Sequence, residues 1–413
     1  MPLTPAYINR LAEEMRSNNP ALLAARTRAV AAALHAEGVR IWEDPMLILG
    51  TQVADQAMKA DEGNLVYGVA QKFPLFGKPQ AMRRVARAEA AVEGANATWQ
   101  IQLQRRELAK ALFKTALAEY VVKVGAQDRA WLETILAGVE GRYRAGQVSL
   151  IYLIQAQNEL SRRTNQLCTD LQLRANERMN LNRLLNRPAA GPWPVLELPS
   201  VGPAVDYNAS LLSLSLKYEP RALMLREQVR QADAMIEVSR KARYPEVGLD
   251  FEGRNYSGNG NFRQAMILLN VTFPLGNAPK YRRDIARDQD RAQAARYDLS
   301  DQELAVRQEL HGLTVAIDAA RREALLYHDE ITPRSERAQA SALADWEANR
   351  GSFREVLEAR RMLLEARLMY AKAVAEQWTQ LSDLALCCGL GDLEALLMLG
   401  NAQPEKTTDS SKP

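Results

Sequence analysis

The sequence predicts a mainly α-helical chain with a small β part: long coiled-coil helices plus four strands per protomer. Three observations carry that expectation. Features recur at an offset of 200 residues: Asn19-Pro20 with Glu219-Pro220, Pro45 with Pro245, and Phe73-Pro74-Leu75 with Phe273-Pro274-Leu275. Matches in the same order mark an internal duplication. The composition, 25% charged and only 6% aromatic with abundant Ala, Leu, Arg, Glu and Gln, favours long helices over aromatic-rich sandwiches. A few short stretches alternate at period two, which belongs to strands and not to helices.

The two halves, residues 1–190 and 206–390, read in the same order. A helix comes first, over about 5–41 and 206–242. It is interrupted near Asn19-Pro20 and Glu219-Pro220, because proline fits a helix start better than its interior. Two strands follow in each half, over 45–53 and 65–75, then over 245–252 and 264–275. In "PEVGLDFEG", Val247, Leu249 and Phe251 take one side and Glu246, Asp250 and Glu252 the other. "NYSGNGN" between the second pair reads as a turn or loop. The expectation is four strands in two hairpins.

Long helix pairs occupy 80–187 and 280–388. Sixty helical residues span roughly 90 Å. Pro333 predicts a kink or break in the second pair. Returning helices start near 150 and 353, with apolar residues at heptad spacing: Leu153, Leu160 and Leu167, then Leu357, Leu364, Ala371 and Trp378. A second echo, at an offset of 203, aligns "YRAGQVSLIYLIQAQ" (143–157) with "WEANRGSFREVLEAR" (346–360), placing Ser149 on Ser352 and Leu150 on Phe353. Gly146 and Gly351 suit the sharp turn between the paired helices. The Pro-rich stretch 191–205 links the halves, and the tail within 391–413 is expected to be partly disordered.

Composition also excludes functions. Net charge is +3, from 53 basic and 50 acidic residues that are interleaved, so no nucleic-acid surface is indicated. Cys168, Cys387 and Cys388 make no disulfide framework, and the three histidines lack ligand spacing. No phosphate loop and no nucleophile–base set is present, so neither an enzyme nor a cofactor is expected. No run of about 18 apolar residues predicts a membrane-spanning helix, and no signal peptide is visible.

Four strands are too few to close a barrel, and long helical hairpins form no globular core. Three copies solve both problems. They give twelve strands, enough for a barrel without free edges, and a tube of helices beside it. If the outer face of such a barrel is apolar, lipid is its natural solvent. Each Phe-Pro-Leu then marks the passage from strand to helix, since proline cannot donate to a ladder. Phe73, Pro74, Phe273 and Pro274 would lie at the membrane boundary, where aromatic side chains are favoured. A strand-end turn in a soluble protein would use the same residues.

The duplicated layout, "QKFPLFGK" at 71–78 and the two tip motifs together resemble the TolC-type outer membrane efflux proteins, over about residues 5–390. The resemblance implies a homotrimer: a twelve-stranded β-barrel in outer membrane lipid, continued by an α-helical barrel that extends into the periplasm. It implies a passive exit duct that works with a periplasmic adaptor protein and an inner-membrane efflux pump. The "FPLFGK" wording looks closer to the heavy-metal and cation efflux branch than to type I secretion ducts, so the substrates implied are heavy-metal cations or drugs. A soluble coiled-coil scaffold and a type I secretion duct of the same fold remain as alternatives. By resemblance, Glu355 and Glu358 would ring the tunnel's narrow end as a gate; their other reading is as solvated helix charges. Gly146, Ser149, Gly351 and Ser352 would form the adaptor-docking tips. Two departures stand out. The first half carries Tyr152 and Gln155 in place of the two glutamates, and neither the family's secretion signal nor its lipidated N-terminal cysteine is seen.

Overall fold

The computed structural model describes residues 1–52, 64–256, 258, 260–273 and 276–395. Two compact units are formed, and each draws segments from both sequence halves.

One unit comprises Met1–Leu23, Trp99–Pro220 and the chain from Leu304 onward. The first helix breaks where the prolines predict, into α1 (Pro5–Asn18) and α2 (Pro20–Gly38). Its counterpart breaks into α5 (Ala209–Tyr218) and α6 (Pro220–Lys241). Asn19 shows why the break holds: its carboxamide oxygen accepts from Ala21 N–H at 2.9 Å, while its amide donates to Leu184 O at 2.8 Å. The long helix α3 (Lys78–Arg144) runs 67 residues, and α4 (Leu150–Leu184) returns. In the second half α7 (Ala278–Leu326) passes through a π-helical segment, Tyr327–Ile331, into α8 (Thr332–Glu347), and α9 (Phe353–Cys387) returns. Pro333 therefore produces a widened turn rather than a break. The Thr332 N–H bonds five residues back, to Tyr327 O. The extra residue makes room for a ring that would clash with an i−4 carbonyl.

The core of this unit has two parts. One gathers Leu11 and Met15 of α1, Leu112 and Phe113 of α3, Leu310 and Ile317 of α7, and Leu381 and Leu384 of α9. The linker is part of it. Trp193 and Leu196 are buried there, Trp193 Nε1 donates to Asn182 Oδ1 at 2.7 Å, and Trp378 Nε1 donates to Ser200 O. Gln377 is fully buried and pairs with both backbone groups of Gly202, like one rung of a ladder. The other part, near the helix turns, packs Leu132, Ile135, Val139, Trp346, Phe353 and Val356. Of the heptad residues Leu167, Leu357, Ala371 and Trp378 are buried, while Leu153, Leu160 and Leu364 are half-buried, so the seam is uneven.

The other unit, Ala24–Thr98 with Arg221–Glu303, holds the sheet. The strands are β1 (Met46–Thr51), β2 (Leu65–Phe73), β3 (Glu246–Asn255) and β4 (Phe262–Thr272). The two expected hairpins are joined: β2 also pairs with β3, giving one antiparallel sheet in the order β1-β2-β3-β4. Asp288 of α7 ties α6 to α7 in this unit. It accepts from the Ser239 hydroxyl and, at 2.9 Å, from Arg287 Nε. The Arg287 hydrogen bond, with help from Ser239, holds its carboxyl below the usual carboxylate range.

Candidate functional site

Register fixes the two faces of the sheet. Partners directly opposite on antiparallel strands point to the same side. One row runs Leu47, Val69, Phe251, Ile267, and another runs Leu249, Leu269 with Gln71. Leu65, Tyr67, Phe73, Val247 and Val271 share that side. It is an apolar face. The opposite face is mixed: Lys72, Glu246, Asp250, Glu252, Arg254, Asn270 and Thr272 share it with Met46, Ile48, Val66, Met266 and Leu268. Polar groups there satisfy one another: Asn270 donates to Asp250 Oδ2, and Arg254 Nε to Glu252 at 3.0 Å.

Among the described residues nothing covers the apolar face. Leu49 is 74% exposed, Ile267 68% and Leu269 66%. Each such side chain left in water forgoes roughly 1.5–3 kcal/mol of burial. Among the described residues β1 and β4 have one partner strand each, so both edges of the sheet present unpaired backbone groups. An exposed apolar face and two open edges leave the sheet without a partner on either.

The passage from strand to helix falls where Phe-Pro-Leu predicts. β2 ends at Phe73, and Pro74 precedes a 3-10 turn, Leu75–Gly77, that leads into α3. The Phe73 ring sits edge-on to Trp42, 5.8 Å between centroids. No local motif marks Phe76, which takes φ +64° and so bears about 1–2 kcal/mol of left-handed strain. In the second half β4 ends at Thr272, and Phe273 follows it, 59% exposed. Pro274 lies outside the described residues.

At the helix turns the duplication is visible bond by bond. In the first, Gly146 has φ +72°, its N–H reaches Tyr143 O, and Gln147 N–H reaches Arg142 O. In the second, Asn349 has φ +58°, its N–H reaches Trp346 O, and Arg350 N–H reaches Asp345 O. Both are Schellman closures. The left-handed residue of the second turn is thus Asn349, not Gly351; the 203-residue offset carries Gly146 onto Asn349. Gly351 serves a different end. A Cβ there would lie 3.2 Å from Asp345 Cβ and 3.3 Å from Glu355 Oε2. Ser149 and Ser352 are the N-caps of α4 and α9. Arg142 lies 4.2 Å over the Trp346 ring and donates to the carbonyls of Trp346 and Glu347, fastening the two turns together.

Glu355 closes a capping box, with its carboxylate on Ser352 N–H and its own N–H on Ser352 Oγ, both at 3.3 Å. Glu358 is exposed and lies on the same helix face, three residues on. Two nearby arginines, Arg360 and Arg361, bond to other carboxylates. Arg360 Nε donates to buried Asp128 at 2.7 Å, and Arg361 grips Glu159 of α4 in two bonds. The Glu159 bond holds the Arg361 guanidinium above its usual range.

Among the described residues no group of three or more His, Cys, Asp or Glu gathers to hold a metal ion, and no helix is long and apolar enough to cross a membrane. Cys168 is exposed. Cys387 and Cys388 are buried, and burial pushes both thiols up.

Residues 211–390 match the outer membrane efflux protein family. No curated protein matches the sequence. Solved outer membrane protein structures share the fold. The outer membrane protein VceC of Vibrio cholerae superposes with a TM-score of 0.77 at 17% identity, covering 94% of this chain and 97% of that one. The CmeC outer membrane channel of Campylobacter jejuni gives 0.79 at 15%, covering 96% and 89%. The open-state MtrE outer membrane channel of Neisseria gonorrhoeae gives 0.77 at 18%, covering 93% and 89%. Four strands joined to paired long helices are thus the TolC-type outer membrane channel fold.

Proposed function

We propose that this chain is the outer membrane component of a tripartite efflux system, a passive exit duct built from three copies. The observation that carries this reading is the sheet. Its apolar face needs a nonaqueous neighbour, and its two open edges need strands. β1 of one copy against β4 of the next would satisfy the edges three times over and close twelve strands. A coiled-coil scaffold accounts for the helices but leaves a broad apolar face in water. The pump would supply the energy and the adaptor would dock at the turns around Gly146, Ser149, Gly351 and Ser352. Phe73, Phe273 and Pro74 would mark the membrane boundary. Heavy-metal cations are the cargo class suggested by "FPLFGK".

Extraction followed by sizing tests the assembly. A trimer that needs detergent is the expected result, and a monomer stable without detergent would overturn it.

The gate reading of Glu355 and Glu358 is tested separately. Three copies of both would place six carboxylates around one constriction, attracting cations. Because Glu355 also caps α9, the informative variant is Glu355→Gln with Glu358→Gln, which keeps the capping acceptor. Planar-bilayer cation selectivity should fall. Unchanged selectivity would leave Glu355 as a cap only.

A further inference from the structure

A pocket of about 210 Å³ opens where β2 turns into α3 and α6 turns into β3, lined by Phe76, Leu75, Met82, Tyr244 and three lysines. Phe76 is held in the left-handed region, a conformation poorly suited to a bulky residue, and is followed by Gly77 at φ +75°. The result is a ring stacked on Tyr244, 5.5 Å between centroids and 8° from parallel. A strained aromatic residue on a pocket wall points to a use for the pocket. Two of the lysines are neutralised: Lys72 by Glu43 at 3.2 Å and Lys78 by Glu246. Lys241 and neighbouring Arg243 are not ion-paired with any described residue. Both lie against the Tyr244 ring, at 5.3 and 5.4 Å. The pocket thus has an apolar wall and two uncompensated cations beside it. A cationic head group would meet those charges; an anionic one would complete them.

We propose that this junction binds an anionic amphiphile, with a phosphate or carboxylate head on Lys241 and Arg243 and an apolar tail against Phe76, Leu75 and Met82. The site rests on the junction geometry and not on the duct reading. Only the source of the ligand, a membrane phospholipid or a free amphiphile, depends on location.

Native mass spectrometry of the full chain in a neutral detergent separates the sources, using dioctanoyl phosphatidylglycerol, dodecanoate and dodecyltrimethylammonium as probes. Binding of the first alone assigns a lipid site, and of the second alone a site for free amphiphiles. In either case Lys241→Ala with Arg243→Ala should weaken binding about tenfold or more. Phe76→Gly should weaken it without lowering thermal stability, since glycine accepts the backbone conformation. Equal binding of the cationic probe, or unchanged binding by the double variant, would overturn the proposal. Neither result bears on whether the chain forms trimers.

Discussion

Gly146 and Asn349 occupy one structural position in two copies of one turn, yet they answer differently to substitution. Left-handed backbone is free for glycine and unfavourable for alanine, so Gly146→Ala should cost about 1–2 kcal/mol. Asn349→Gly should be neutral or slightly stabilising, because asparagine already tolerates the region less well than glycine. Chemical denaturation of the two variants checks both signs. The same exchange occurs at the far end of the returning helices, where Asn186 follows α4 at φ +54° and Gly389 follows α9 at φ +64°. Asp288 makes a pH prediction. Its folded carboxyl titrates below the ordinary range of about 4. The stability it confers is complete above that range and is lost as pH falls through the depressed value. Hydrogen exchange in α6 near Ser239 should rise in acid. In Asp288→Asn it should already be raised at neutral pH and respond less to acid.

Element boundaries were legible wherever a local chemical rule sets them. Asn19 and Pro20 stop one helix and start the next, and Phe73-Pro74 ends β2, as the sequence indicates. Pro333 predicts a kink or break. The π-helical turn before it absorbs the proline, which a period of 3.6 alone does not reveal. Glycine's freedom points to Gly351 for the second turn, and Asn349 makes it; the 203-residue offset from Gly146 carries that signal. Arg142, capping the end of α8 from another helix, and Phe76 left no local signature. Their roles come from residues distant in sequence or from an unusual backbone angle.

At the scale of the whole molecule, the sheet's two faces make the sharpest contrast. If lipid covers the apolar side, Ile267→Lys should cost about 2–4 kcal/mol of membrane stability near the bilayer midplane. Asn270→Lys, on the mixed side, should leave it nearly unchanged. Folding titrations into lipid vesicles would read the difference, and equal effects would mean that the apolar face does not meet lipid. The glutamates were placed on one helix face by spacing alone, and they are so placed. What they line depends on copies beyond this chain.

The sequence by itself determined the duplication, the order of helices and strands, the break points and the apolar side of β3. These follow from proline's missing N–H, from glycine's freedom and from the periods of helix and strand, all of them local. Only the tertiary structure decided that β2 joins β3 into one sheet, that the Pro-rich linker is pinned into the core by Gln377 and Trp378, and that Glu355 spends a carboxylate on a helix cap. Each of these is a pairing between groups far apart along the chain, and its energy depends on which surfaces meet.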